Sequence, residues 1–398
     1  MSKEEVLVVV GAGSFQVPVI ARAKERRFFV VALDANPEAP GFALCDRSIV
    51  VDIRNPAACI AALECIEPVA VLALATEVAV VTVAFIAEVF GLKGVSVEAA
   101  LNSTSKKRMR ECFLEYKIPS PAFKAISNAA SVNTAAAAIG FPLVVKPSDS
   151  AGSRGVSIVT APRSLQAAYD HALSFSTNGE VLIEAYMDGV EISVESYVQD
   201  GVVTILSLSD KIRTESQYPL DTHVIFPSEK ADAIQAEAKS MAIRAIEACK
   251  IDNAVVHMEM MVTPEGPKMV ELAARGAGFH VFSKMLAWVC DINTVDLLID
   301  ISLGKKIMYP ALKQRGAVLA FPGAKSGIVK EVYGLSDIQQ TQGVYEAEAY
   351  VKTGDRINEL RSGSDRIGHI IVFGDDRVKA LEITRKAERL FNIEVTSI

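Results

Sequence analysis

No Cys-x-x-Cys pair occurs among the six cysteines, Cys45, Cys59, Cys65, Cys112, Cys249 and Cys290. That absence argues against a structural zinc site or a thioredoxin-like redox motif, and most of these thiols sit in apolar stretches, as small core residues of a reduced cytosolic protein do. Basic residues are not in surplus: the net charge is −7, which argues against bulk affinity for nucleic acid or an anionic membrane. No long uncharged apolar run is present. The longest candidate, 69–90, follows Glu67 and is broken by Glu77 and Glu88, so it reads as a buried strand followed by a helix rather than a membrane span. The segment from Met1 to Val10 opens with Lys3 and Glu4 and runs straight into a strand, without the layout of a signal peptide. No Gly-Lys-Ser/Thr sequence opens a helix, which excludes a Walker loop. Tryptophan is nearly absent; Trp288, the single one, is expected to pack. There is no internal repeat and no low-complexity stretch.

What is present is apolar and ordered. Half of the residues are hydrophobic, enough to build several cores in a chain of this length. Up to about residue 100, short apolar runs (Val6–Val10, Phe28–Leu33, Ile49–Val51, Val69–Leu74, Gly94–Val97) alternate with Ala-rich helical segments. This pattern predicts a parallel α/β sheet with helices on both faces. From Ser103 the pattern changes. A basic helix at Lys106–Tyr116 precedes strands at 122–126, 143–146, 156–159 and 181–185, with helices at 134–139 and 164–173, a small α+β unit. Beyond Gly189, strands alternate residue by residue, with a hairpin turn at Asp200-Gly201 and a second hairpin at 254–273. The tail from Ala317 alternates strands with one long helix, 376–391. The expected units are 1–100, 101–188, 189–312 and 313–398.

Four motifs carry chemistry. Gly11-Ala12-Gly13 after the first strand, with Asp34 after the second, resembles a dinucleotide fingerprint, but Gln16 stands where its third glycine belongs. A tight turn is the plainer reading. Lys146 ends a strand and meets a Gly/Ser loop, Ser148-Asp149-Ser150-Ala151-Gly152-Ser153-Arg154-Gly155, before the chain returns as a strand. Backbone N–H groups and hydroxyls in such a loop suit phosphate oxygens, and the Lys146 ammonium adds charge in the same space. At Glu184-Ala185-Tyr186-Met187-Asp188-Gly189-Val190-Glu191 a strand ends in a hinge. Its exposed backbone groups suit a base edge, and Glu191 suits sugar hydroxyls; a charged connector is the alternative. Finally, if Val262 pairs with Lys268 across a five-residue loop, Glu259 lies opposite Glu271 on one face of a hairpin. Two carboxylates so placed repel unless a cation lies between them, and Mg²⁺ fits. Without the cation, repulsion should raise the pKa of at least one of them. Arg275 follows at once, where a guanidinium would steady a phosphoryl group in transfer.

In this order the motifs resemble the ATP-grasp superfamily, and the resemblance covers nearly the whole chain. It implies a fold of two lobes gripping ATP and Mg²⁺ (Mn²⁺ as a substitute), with an N-terminal parallel α/β domain and a C-terminal lid. The residues it implies for the nucleotide are Lys106 (Lys107 being the neighbouring alternative), Lys146, Ser150, Gly152, Ser153, Gly155, Glu184, Met187 and Glu191. Those for the metal are Glu259 and Glu271, and Lys146 and Arg275 take catalytic roles. Many members read Glu-x-Asn-x-Arg where this chain has Glu271-Leu272-Ala273-Ala274-Arg275, so a third protein ligand is missing. The Glu-x-Ala-Ala-Arg form is similar to the L-amino-acid ligase branch. His223-Val224-Ile225-Phe226-Pro227-Ser228 resembles that branch's substrate loop, and Glu77, after a strand end, stands where related chains place a substrate-facing acid. The implied activity is ADP-forming ligation of a small-molecule carboxylate to an amine through an acyl-phosphate, in the cytoplasm, with a homodimer compatible. Three other readings stay open: a purine-pathway or biotin-carboxylase-like enzyme, a dehydrogenase on the first domain, and a nucleotide-binding protein without turnover.

Overall fold

The computed structural model describes residues 5–309 and 311–396. The first four residues, with the Lys3 and Glu4 noted above, lie outside it. Strands Arg47–Val50, Phe29–Asp34, Val6–Val10 and Pro68–Leu72 form a parallel sheet in that spatial order. The β-branched runs of this sheet are buried on both faces, as a parallel sheet requires. Val8, Val10, Val31 and Leu33 face one apolar cluster, and Leu7, Val9, Val30 and Ala32 face another. The expected strand at Gly94–Val97 is absent. Ser96 caps a helix there, Val97–Thr104, by accepting from the Ala99 N–H; a capping serine ahead of Glu98 outweighs the short apolar run.

The small α+β unit is an antiparallel sheet of Phe123–Ile126, Val181–Ala185, Leu143–Pro147 and Ser157–Val159. Helices Val132–Ile139 and Leu165–Ser174 cover one face of it. Beside this unit runs an eight-stranded sheet in the order Gly266–Ala273, Ala254–Thr263, Val190–Gln199, Val202–Arg213, Asp221–Phe226, Gly316–Ala320, Gly368–Gly374 and Val344–Ala349. One face of its first half is apolar: Ile192, Val194, Val256, Met258, Met260, Met269 and Leu272 lie under helices Lys106–Glu115 and Asp232–Ala248. Each such side chain contributes about 1.5–3 kcal/mol by leaving water. The opposite face carries Glu191, Glu195, Lys211, His257 and Glu259, so the unit that is apolar on one side is charged on the other.

The N-terminal domain is fixed onto the large sheet by helix Val17–Glu25 against helix Thr294–Ser302. Arg22 and Arg26 both pair with Asp296, and Arg26 also with Asp300 at 2.6 Å. Trp288 packs as expected, stacked on Phe373 with its indole N–H donating to the Gly316 carbonyl. Residues 281–302, for which the sequence reading assigned no elements, form a π-helical turn, Val281–Met285, and two helices, Leu286–Cys290 and Thr294–Ser302. No helix among the described residues is long and apolar enough to cross a membrane.

Candidate active site between the two antiparallel sheets

The hairpin that carries the acid pair closes differently from the sequence expectation. Its turn has two residues, Pro264-Glu265, with Thr263 paired to Gly266 and Val262 to Pro267. That register alone would set Glu259 against Val270. A β-bulge at Val270 adds one residue to the return strand, and beyond it Glu259 faces Glu271 after all. The freed Val270 carbonyl accepts from an Arg110 Nη at 2.6 Å.

Glu259 and Glu271 line a cleft together with Lys106, Lys146, Ser150, Gly152, Ser153, Glu184, Met187 and Glu191. The Gly/Ser loop forms one wall, and its backbone takes positive φ at Gly152, Ser153 and Gly155. The loop is tied from behind, where Asp149 accepts from the N–H groups of Thr177 and Asn178. Gly155 is outside the lining; Phe175 and Pro147 crowd the place where its Cβ would sit. Lys106 Nζ reaches Glu271 at 2.9 Å and donates to the Ser150 carbonyl at 2.7 Å. Lys107 instead turns to Glu180 at 3.2 Å, so of the two lysines it is Lys106 that enters the cleft.

Two acids of the hinge are already paired. Glu184 receives Arg110 Nε at 2.8 Å and Lys146 Nζ at 2.7 Å, with all three side chains buried. Its role in this geometry is to hold Lys146 rather than to offer free oxygens to a base. Burial drives the Lys146 ammonium below its ordinary range, with Arg110 and Lys106 adding to the effect and Glu184 opposing it. Glu191 accepts from Lys211 at 2.9 Å and from Arg213. Lys211, its side chain 5% exposed, also pairs with Asp221 at 3.2 Å and with Glu259. His257 bridges Glu195, at 2.6 Å, and Glu259, at 3.5 Å.

These partners reverse the expected titration of the acid pair. Burial pushes the Glu259 carboxyl up, but Lys211 and His257 outweigh it and hold the group well below its usual range. Burial likewise pushes Glu271 up, and Lys106 brings it below. Each acid has its own cation, so mutual repulsion does not dominate. Glu191 is the acid that is raised, by burial that Lys211 does not fully offset.

Arg275 and Glu77, both singled out in the sequence, meet each other: Arg275 Nε donates to Glu77 at 2.6 Å. The pair lies beside the cleft rather than in its lining, and the Arg275 guanidinium feels both Glu271 and Glu259. His223 stands apart from the cleft, with its Nε2 on Glu388 of the C-terminal helix at 2.9 Å. The glycine turn of the first domain is occupied by its own chain. Asp34 accepts from the Ala12 N–H at 2.7 Å, and the Gln16 amide fills the space over Gly11 and Gly13 while donating to the Leu74 carbonyl.

Arg110, Lys211, Arg213, Asp221 and the His257–Glu195 pair were not foreseen as site residues. Only Lys211 and Arg213 had a usable signal: two basic residues at i and i+2, which share one face of a strand.

Residues 139–282 match the model of the ATP-grasp domain, and residues 320–396 match L-amino acid ligase C-terminal domain 2. The uncharacterized protein y4rH of Sinorhizobium fredii is 25% identical over 77% of this chain and 64% of its own length, so the chain spans less than two thirds of that relative. The L-arginine-specific L-amino acid ligase of Bacillus subtilis is 22% identical over 73% of this chain and 71% of its own. The crystal structure of an L-amino acid ligase from Bacillus licheniformis superposes over all of both chains with a TM-score of 0.84 at 19% identity, which establishes a shared fold. This chain carries an ATP-grasp domain and the L-amino acid ligase C-terminal domain 2.

Proposed function

We propose that the protein is an ATP-dependent, ADP-forming ligase that joins a carboxylate to an amine through an acyl-phosphate. The observation that carries this reading is one cleft. In it the glycine-rich loop and Lys146 of the small sheet, the opposed carboxylates of the large sheet, and Lys106 at the start of a helix come to a common space. Phosphate groups and a divalent cation fit that donor set. Loop residues 150–154 offer N–H groups and hydroxyls, Lys106 and Lys146 offer positive charge, and Glu259 and Glu271 offer the hard oxygen ligands that Mg²⁺ prefers. When bound, Mg²⁺ (or Mn²⁺ in its place) would draw charge from the terminal phosphates.

The remaining chemistry belongs to the chain's own groups. Lys146, held at a fixed point by Glu184, neutralises charge as the substrate carboxylate attacks the γ-phosphorus in line. Arg275, steadied by Glu77, is placed to stabilise the transferring phosphoryl group and the acyl-phosphate that results. The amine then attacks the activated carbonyl carbon and phosphate leaves. The loop over the cleft excludes water that would otherwise hydrolyse the intermediate. Six free thiols and a net negative charge suit a cytoplasmic enzyme of small-molecule metabolism.

Incubation with ATP, Mg²⁺ and mixtures of amino acids, followed by nucleotide chromatography and product mass, tests the reading. ADP, phosphate and a condensed product are expected. A dominant AMP peak rules the mechanism out, and nucleotide binding without turnover for any pair would favour a binding protein.

A further inference from the structure

Two of the six thiols lie against each other. Cys112 stands near the end of helix Lys106–Glu115, and Cys249 caps the C-terminal end of helix Asp232–Ala248. Both helices cover the apolar face of the eight-stranded sheet, and both cysteines belong to the cluster buried there. A clamp fixes the two helix ends: Arg244 of the second helix donates to the backbone carbonyls of Tyr116 and Lys117, just past the first, at 3.2 and 3.1 Å. Within this contact the Cys249 S–H donates to the Cys112 sulfur. The other buried or half-buried thiols are satisfied differently. Cys45, Cys59 and Cys290 give their S–H groups to the backbone carbonyls of Phe42, Asp52 and Leu206, and Cys65 is exposed.

The two paired thiols are not equivalent. Cys249 is fully buried, whereas Cys112 is half-buried and open to small solutes. The bond from Cys249 lowers the Cys112 thiol below its ordinary range, against burial and the nearby Glu115 and Glu111, with Arg108 helping. The same bond, with burial, raises Cys249. The thiolate is the nucleophile of sulfur chemistry. Cys112 is therefore the sulfur that meets an oxidant arriving from solvent, and Cys249 is the sulfur placed behind it. Sulfurs already in contact have a short approach to the bonded distance of about 2.05 Å.

We propose that Cys112 and Cys249 form a redox-modification site, closing reversibly to a disulfide when the protein meets a hydroperoxide. With hydrogen peroxide, the Cys112 thiolate attacks one oxygen and the O–O bond breaks. The leaving hydroxide takes up the proton that Cys112 had released, and Cys112 is left as a sulfenic acid. The Cys249 sulfur then attacks the Cys112 sulfur. The S–O bond breaks, and hydroxide leaves with the Cys249 proton as water. Two thiols and one peroxide thus give one disulfide and two waters, the sulfurs being oxidised and the peroxide reduced. The link fixes to the large lobe the helix that carries Lys106 into the cleft and Arg110 to Glu184 of the small sheet. Disulfides of reduced compartments are typically transient and redox-sensing, as a pair of this kind would be.

The test treats the reduced full chain with an equimolar amount of hydrogen peroxide, alkylates the remaining thiols in denaturant and maps all six cysteines by peptide mass. A peptide joining Cys112 to Cys249, lost on adding dithiothreitol, is expected, with Cys45, Cys59, Cys65 and Cys290 recovered mostly alkylated. Oxidised wild type should melt several degrees above the reduced protein, because the link closes a long loop. Cys249→Ser removes the second sulfur, so its Cys112 should hold the sulfenic acid and be trapped as a dimedone adduct. Cys112→Ser should give no link, no adduct at Cys249 and no shift in melting. Full alkylation of Cys112 and Cys249 after peroxide, or oxidation of Cys112 without a link to Cys249, overturns the proposal. Links formed as readily by the other four thiols overturn it too. A folded Cys249→Ser without the adduct overturns the order of attack. Should either variant fail to fold, the wild-type peptide map decides alone.

Discussion

Glu184→Gln should loosen the small antiparallel sheet far more than its near-identical shape suggests. Among the described residues, Glu184 is the one carboxylate that pairs with the two cations Arg110 and Lys146, at 2.8 and 2.7 Å. Side-chain exposures of 1%, 6% and 4% for Arg110, Lys146 and Glu184 mean that water cannot replace the lost charge. Burial pushes the Glu184 carboxyl up, yet Arg110 and Lys146 hold it below its usual range, so the anion is the state that all three groups require. Breaking a buried pair leaves an uncompensated charge at a cost of about 3–5 kcal/mol. At about 4 kcal/mol, local opening becomes roughly a thousandfold more frequent. Trp288 sits in a different core, so its fluorescence will not report this change. The assay is hydrogen exchange of the backbone amides in Leu143–Pro147 and Val181–Ala185, compared among wild type, Glu184→Gln, Arg110→Met and the double variant. The two changes should be non-additive by about 1–3 kcal/mol, because both break the same pair. Exchange within threefold of wild type in Glu184→Gln, or additivity within about 0.5 kcal/mol, would refute the reasoning.

Lys146→Ala should weaken ATP binding by about tenfold or more, roughly 1.4 kcal/mol; unchanged affinity by calorimetry in a folded variant sinks its phosphate role. Glu271→Gln should cut turnover strongly while the melting temperature holds, and Arg275→Lys should do the same because a point charge cannot reproduce the planar fork; rates near wild type in either remove that residue from the mechanism. Glu346 gives a pH signature away from the cleft. A bond from His369 and the nearby Lys284 lower its pKa from 4.5 to about 2 against the effect of burial. Its contribution to stability is therefore full above pH 4.5 and fades as pH falls toward 2. The melting-temperature gap between wild type and Glu346→Gln should shrink across that window, and a constant gap would contradict it.

The loop wall of the cleft was legible because its signals are local. Glycine and serine between two strands, with Lys146 at the junction, place backbone donors and a charge without any long-range information. The pairing of Glu259 with Glu271 was read correctly from a wrong turn, because nothing in Met269-Val270-Glu271 marks a bulge: no glycine stands there. Arg110 looked like one more charge on a basic helix. Its burial depends on the distant Glu184 and Val270, contacts that a helical period cannot reveal. Asp221 meets Lys211 only because 221–226 lies beside 202–213 in the sheet order.

The bulge at Val270 also bears on how faithfully the hairpin can form. Met269 faces the apolar cluster under helix Asp232–Ala248, opposite Met260, while Glu271, two residues on, faces the cleft. In an unbroken strand residues two apart share a face. A hairpin that zipped from its Pro264-Glu265 turn without the extra residue would therefore drive Glu271 among Met258 and Met260, or else turn Met269 out to water. The first error strands a carboxylate in apolar surroundings, and the second forfeits the burial of a methionine. Mis-zipped chains are thus penalised at one defined point along the strand, and the placement of the site is checked during folding by the same residues that will later use it.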